Sequence, residues 1–211
     1  MFIKVCGIKY PANMKAIGKT DPDAMGFIFH QGSPRYMANH LTPEDLQSLP
    51  LYIIKMGVFV NETLDEILRI AKLYKLNGVQ LHGSETPETC KTILENGFIV
   101  FKAFNITDDF DFDQTEAYAS SCRFFLFDAS GSGYGGNGIR FDWEKLQTYN
   151  GETEFFLSGG IKAEDVKELK ELKHPKLLGF DINSAFETQP GEKDIKKVKR
   201  FITNIRSSTI R

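Results

Sequence analysis

The sequence predicts a single-domain (β/α)8 TIM barrel spanning residues 1–211. Three observations carry that prediction. Short apolar runs recur at intervals of about 20–30 residues, there are eight of them, and stretches of helical periodicity lie between them. A doubly wound open sheet shares the alternation. Eight repeats, and the absence of GxGxxG after the first strand, favour the closed barrel.

The eight runs are FIKVCG (2–7), AMGFIF (24–29), IIKMGVFV (53–60), GVQLH (78–82), FIVFKAF (98–104), RFFLFD (123–128), EFFLSG (154–159) and LLGFDI (177–182). Each is rich in Val, Ile and Phe and too short for a buried helix, so each predicts a strand. Near-continuous apolarity suits parallel strands covered on both faces. Between them, Leu64, Ile67, Leu68, Ala71 and Leu76 share one side of a helix over 61–76, with Thr63 as its cap. Helices are also predicted over 87–96, stopped by Gly97, over 163–173 and over 194–205. Weaker patterns cover 11–19, 42–49, 108–121 and 142–149, with Asp142 as a helix cap. The tail SSTIR is expected to fray.

Composition excludes several function classes. Of 211 residues, 41% are hydrophobic and 26% charged, ordinary values for a folded chain. Lys+Arg 26 against Asp+Glu 28 leaves a net charge of −2, without the basic stripe of a nucleic-acid binder. No apolar run approaches the roughly 20 residues a membrane helix needs. MFIKVCGIKY lacks the apolar core of a signal peptide, so the expectation is a cytoplasmic protein with neither nucleic-acid nor membrane partner. Three cysteines without CxxC spacing suggest neither a disulfide framework nor zinc.

A barrel of this kind builds its site from the loops after the strands. The strand ends bring together Cys6-Gly7, 29–36, Asn61, His82-Gly83, Phe104-Asn105, Asp128, 158–160 and 181–185. Cys6 is either a small buried hydrophobe or, if nearby positive charge lowers its pKa, a base. Cys90 and Cys122 carry only the first reading. Asp128 closes a wholly apolar strand, as a loop acceptor or as an acid or base. Asp181 reads as a cap or a substrate contact, and His82 as a structural or substrate-facing imidazole. Arg35, in GSPRY, is a solvated loop arginine or a carboxylate clamp. Gly159-Gly160 make a tight turn or an anion site where barrels hold phosphates. Gly135-Gly136-Asn137-Gly138 reads as a lid or a linker.

Taken together, the motifs resemble the phosphoribosylanthranilate isomerase family of tryptophan biosynthesis. The resemblance runs nearly end to end through KVCGI (4–8), GFIF with SPRY (26–29, 33–36), GVFVN (57–61), VQLHG (79–83), FD with GYGGNG and FDW (127–143), LSGGI (157–161) and GFDINSAFE with PGEKD (179–194). It implies an Amadori rearrangement of N-(5-phosphoribosyl)anthranilate to 1-(o-carboxyphenylamino)-1-deoxyribulose 5-phosphate, with no cofactor and no metal. It implies Cys6 as general base, Asp128 as general acid, Arg35 on the anthranilate carboxylate, and Gly159, Gly160, Ser184 and Ala185 on the phosphate. Ala185 stands where many family members have Gly, and Ile139 and Arg140 receive no role. Acid and base need opposite protonation states, so a raised pKa is expected for Asp128. The expected partner is a phosphorylated sugar–anthranilate, with the protein a monomer or homodimer. Rival readings are the histidine-pathway aminoaldose isomerase, which places aspartate where Cys6 stands, and indole-glycerol-phosphate synthase, whose lysine and glutamate set Lys102 does not complete. A catalytically silent sugar-phosphate-binding barrel is the alternative from another class.

Overall fold

Eight parallel strands hydrogen-bond in chain order and close on themselves in the computed structural model, which describes residues 1–128 and 143–207. They are β1 (Phe2–Val5), β2 (Ala24–Ile28), β3 (Ile54–Phe59), β4 (Gly78–Leu81), β5 (Ile99–Asn105), β6 (Phe124–Asp128), β7 (Phe155–Ser158) and β8 (Leu177–Ile182). Pairing of Phe2 with Gly179 through Val5 with Ile182 shuts the barrel. Every apolar run of the sequence is one of these strands, with ends displaced by one or two residues.

The strand period of two sorts the core. One face of each strand packs with the surrounding helices in a large cluster that includes Ile3, Val5, Phe27, Val79, Val100, Phe125 and Phe127. The alternate positions Ala24, Met56, Phe101, Ala103, Leu126 and Phe156 form a separate cluster inside the barrel. Phe156 is its centre, stacked on Phe101 at 4.9 Å and edge-on to Phe2 at 5.1 Å. This aromatic plug fills the N-terminal half of the barrel, so the interior opens only at the strands' C-terminal end.

The helices are α1 (Pro11–Gly18), α2 (Pro43–Gln47), α3 (Leu64–Leu73), α4 (Pro87–Glu95), α5 (Val166–Glu171) and α6 (Ile195–Arg206). Side chains of Thr42, Thr63, Thr86 and Asp194 accept from backbone amides at four of their starts, as capping chemistry requires. Two segments expected as helices, within 108–121 and 142–149, are 3-10 turns at Phe112–Tyr118 and Trp143–Thr148. Each lays two side chains into the core, Phe112 with Thr115 and Trp143 with Leu146. That spacing of three is the 3-10 repeat. After β8 the chain adds an unforeseen hairpin, β9 (Glu187–Gln189) and β10 (Glu192–Lys193). Its turn passes through Gly191 at φ +87°, a conformation that favours glycine. Gly135 to Gly138, Ile139, Arg140 and Asp142 lie outside the described residues. Among the described residues no helix is long and apolar enough to cross a membrane.

Candidate active site

Cys6 follows β1 directly, and its amide continues the ladder to Ile182 O at 2.9 Å. A Cβ at Gly26 would lie 2.6 Å from the Cys6 sulfur, so the bare backbone of β2 makes the space the thiol occupies. By the same alternation that places the plug, Lys4, Cys6, Gln80, His82, Asp128 and Asp181 project into the barrel above it. Cys6, Arg35, Gln80, His82, Asp128, Ser158 and Asp181 line one cleft, with Ile28, Val58 and Val60 as an apolar wall. The cleft holds about 580 Å³ of empty space including its open mouth.

Lys4 is wholly buried, and its Nζ meets Asp181 Oδ2 at 2.7 Å. Burial works to lower the lysine's pKa, but the facing Asp181 and Cys6 together raise it. Asp181 Oδ1 is buried and has no hydrogen-bond partner among the described residues. Burial pushes the Asp181 carboxyl above the usual range, Lys4 pulls it back, and Asp128 pushes it up further. Asp181 is therefore no helix cap; it is a carboxyl aimed into the cleft. The Cys6 thiol is also pushed up by burial, against the pull of Lys4 and Lys193 and with the push of Asp181. The base reading asked for a lowered pKa at Cys6; the shift is upward instead, because desolvation outweighs two nearby ammonium groups.

His82 Nε2 lies 3.3 Å from Asp128 Oδ2, off hydrogen-bond alignment. Its Nδ1 is 3.1 Å from Gln80 Nε2. An amide donating to Nδ1 leaves the proton of a neutral imidazole on Nε2, toward Asp128. Cys90 and Cys122 are buried away from the cleft.

Arg35 is not a solvated loop residue: one edge of its guanidinium is paired with Glu187. Its Nε donates to Glu187 Oε1 and Oε2 at 2.9 and 3.1 Å, and its Nη2 to Oε2 at 2.8 Å. Lys193, wholly buried, holds the same carboxylate at 2.6 Å and Asn183 Oδ1 at 2.6 Å. Burial pulls Lys193 down to about 8. Beside this cluster, Gly7 at φ +75° lets the chain pass: a Cβ there would sit 2.6 Å from Asn183 Oδ1 and 2.8 Å from Arg35 Cδ.

Gly159 and Gly160 follow β7 at φ +83° and +65°, and their amides donate to no other group among the described residues. Ser184 and Ala185 open the 3-10 turn after β8, where Ala185 O accepts from Lys197 Nζ at 2.9 Å. Among the described residues no group of three or more His, Cys, Asp and Glu is placed to hold a metal ion.

Sequence reasoning missed Lys4, Gln80, Glu187 and Lys193. Lys4 had a readable signal: a lysine inside the apolar strand FIKV is costly to bury unless paired. Glu187 and Lys193 had a fainter one, the Pro190-Gly191 turn between them.

Residues 3–204 match the family model for N-(5'phosphoribosyl)anthranilate (PRA) isomerase. An N-(5'-phosphoribosyl)anthranilate isomerase from Parabacteroides distasonis is 43% identical over 206 residues, covering 97% of this chain and 93% of that protein. The crystal structure of phosphoribosyl anthranilate isomerase from Thermotoga maritima superposes with a TM-score of 0.86 at 34% identity, over 98% of both chains. A phosphoribosyl anthranilate isomerase in complex with reduced 1-(o-carboxyphenylamino)-1-deoxyribulose 5-phosphate gives a TM-score of 0.82 at 32% identity, again over 98% of both. A cleft with a thiol, two carboxyls, an imidazole and an arginine at the barrel mouth, and a family match along nearly the whole chain, lead to one assignment: this protein belongs to the N-(5'-phosphoribosyl)anthranilate isomerase family.

Proposed function

We propose that the chain isomerises N-(5-phosphoribosyl)anthranilate to 1-(o-carboxyphenylamino)-1-deoxyribulose 5-phosphate by acid–base catalysis between Asp128 and Cys6. The observation that carries the reading is the convergence of Cys6, Asp128, Asp181, His82 and Arg35 on one cleft from five different strand ends. Asp128 gives its proton to the furanose ring oxygen. The C1′–O bond breaks with its electron pair going to that oxygen, and the nitrogen lone pair forms a C1′=N iminium. Cys6 then takes the C2′ proton, and the released pair closes an enolamine. Tautomerisation moves a proton to C1′ and leaves the ketone at C2′.

The raised pKa of the buried Cys6 thiol fits this order of steps. An iminium cation beside the sulfur adds its positive charge to that of Lys4 and Lys193, and it favours the thiolate when the base is needed. Asp181, with Oδ1 unpartnered, and His82 are the polar contacts for the sugar hydroxyls. The amides of Gly159, Gly160, Ser184 and Ala185 hold the phosphate, as backbone turns at this end of a barrel do. Arg35 receives the anthranilate carboxylate. A guanidinium has two edges able to bind a carboxylate; Glu187 takes the Nε–Nη2 edge, and the Nη1–Nη2 edge remains.

The test is loss of anthranilate fluorescence on freshly made substrate. Wild type turns it over, and Cys6→Ser and Asp128→Asn each fall by about 10²–10⁴. Wild type that binds the phosphorylated ligand without turnover favours the silent barrel.

A further inference from the structure

We propose that Glu187 is a positioning residue that selects for the carboxylate of the arylamine substrate by fixing the plane of Arg35, and that the β9–β10 hairpin is the element that supplies it. The proposal rests on the reading of Arg35 as the substrate's carboxylate contact.

The geometry is specific. Glu187 binds the side edge of Arg35 through three contacts of 2.8 to 3.1 Å, and among the described residues no group hydrogen-bonds Nη1. A side-bound carboxylate locks a guanidinium in its own plane, so the free end edge keeps one direction. Arg35 lines the cleft, and Glu187 does not. The carboxylate that fixes the fork thus stands behind it, leaving the front to a ligand.

Glu187 is itself held on every side. Lys193 Nζ and the Gly191 amide both donate to its Oε1, at 2.6 and 3.0 Å. The backbone of Lys193 is clamped to α1 through Asn13, whose Nδ2 donates to Lys193 O at 2.8 Å and whose Oδ1 accepts from Lys193 N at 2.9 Å. The chain from α1 through Lys193 to Glu187 to Arg35 is continuous and largely buried.

The charges agree with the geometry. Two cations, Arg35 and Lys193, enclose one carboxylate. The cluster keeps one net positive charge, the complement of one further carboxylate. An arginine alone would carry that charge on a mobile side chain; here the charge and its direction are both set before the ligand arrives.

The experiment measures the affinity of two probes: reduced 1-(o-carboxyphenylamino)-1-deoxyribulose 5-phosphate, and the same molecule with phenylamino in place of carboxyphenylamino. Wild type is expected to prefer the carboxylated probe by about tenfold or more, the worth of a charged hydrogen bond. Glu187→Gln is expected to lose most of that preference while its affinity for the carboxyl-free probe stays within about twofold. Glu187→Asp keeps the charge and shortens the reach, and is expected to lose part of it. Equal weakening of both probes in the Glu187 variants would mean a scaffold role only and overturn the proposal, as would an unchanged preference. Arg35→Met separates the two readings. If it abolishes the preference while Glu187→Gln leaves it intact, the positioning role fails alone. If Arg35→Met leaves the preference intact, the reading of Arg35 fails and the proposal goes with it.

Discussion

Two of the buried lysine–carboxylate pairs lie on opposite faces of the strands, Lys4–Asp181 inside the barrel and Lys102–Glu85 outside it, and they are put to different uses. Lys102 on β5 meets Glu85 at 3.1 Å, and Lys4 on β1 meets Asp181 at 2.7 Å. All four side chains are almost wholly buried. The Glu85 carboxylate is saturated: Oε1 accepts from the Asn61 amide at 2.8 Å, and Oε2 from the Gly83 amide at 3.0 Å as well as from Lys102. Lys102 also reaches Gly83 O at 2.6 Å. This pair ties the loop after β4 to β3 and β5, behind His82. Among the described residues Asp181 hydrogen-bonds Lys4 alone, and its second oxygen, on the cleft side, has no partner there. A saturated buried pair is a fastener. An unsaturated one leaves a buried acceptor whose cost the fold carries.

The largest effects come from breaking each pair. Lys4→Met and Lys102→Met both strand a buried carboxylate, and each is expected to cost about 3–5 kcal/mol in urea unfolding. Below the unfolding transition the two part company. Lys4 pulls down the pKa of both Cys6 and Asp181, so its loss sends both higher and moves the pH–activity profile to the alkaline side. Lys102→Met leaves that profile in place. Identical profiles for the two variants would mean that the two pairs play the same part.

Replacing the carboxylates sharpens it. Asp181→Asn is expected to lower turnover about a hundredfold, as loss of a preorganised polar contact does. Glu85→Gln is expected to keep turnover within about threefold and to lose about 1–3 kcal/mol of stability through its amide contacts. Steady-state rates and denaturant midpoints on the two proteins decide the matter.

A third buried lysine gives a pH test. Lys193, faced by Glu187, Arg35 and Cys6, is pulled down to about 8 by burial, below its unfolded value of about 10.4. Between those values the unfolded chain binds more protons, so this group makes stability rise with pH across that window. Below it the charged form costs stability. Subtracting the unfolding curve of Lys193→Met from that of wild type between pH 7 and pH 10, a range of about three units, isolates that slope. A flat difference removes Lys193 from the set of strained buried charges.

The smallest effect tests the fastener's own loop. Thr86, next to Glu85, caps α4 by accepting from the Thr89 amide at 3.3 Å. Thr86→Ala is expected to cost about 1 kcal/mol and leave turnover unchanged, measured by thermal unfolding and steady-state rates.

The strands were legible because a parallel strand covered on both faces is an apolar run, and nothing else in this chain makes runs of that length. Cys6, His82, Asp128 and Asp181 were legible because a polar residue at the end of such a run lies at the barrel mouth. The partners of Arg35 were not. Glu187 is 152 residues away from it, in a hairpin whose pattern in the sequence reads as loop. The 3-10 turns were read as helices for a related reason: their three-residue repeat shows only when the side chains it buries are known.

The sequence by itself determined the barrel, the order of its strands and the groups that end them, Cys6, His82, Asp128 and Asp181, since hydrophobic period and strand-end position are local properties of a chain. The tertiary structure decided how those groups are charged and aimed. Burial raised Cys6 and Asp181 against their lysines, and Glu187 turned Arg35, because desolvation and ion pairing depend on neighbours that only folding brings within a few ångströms.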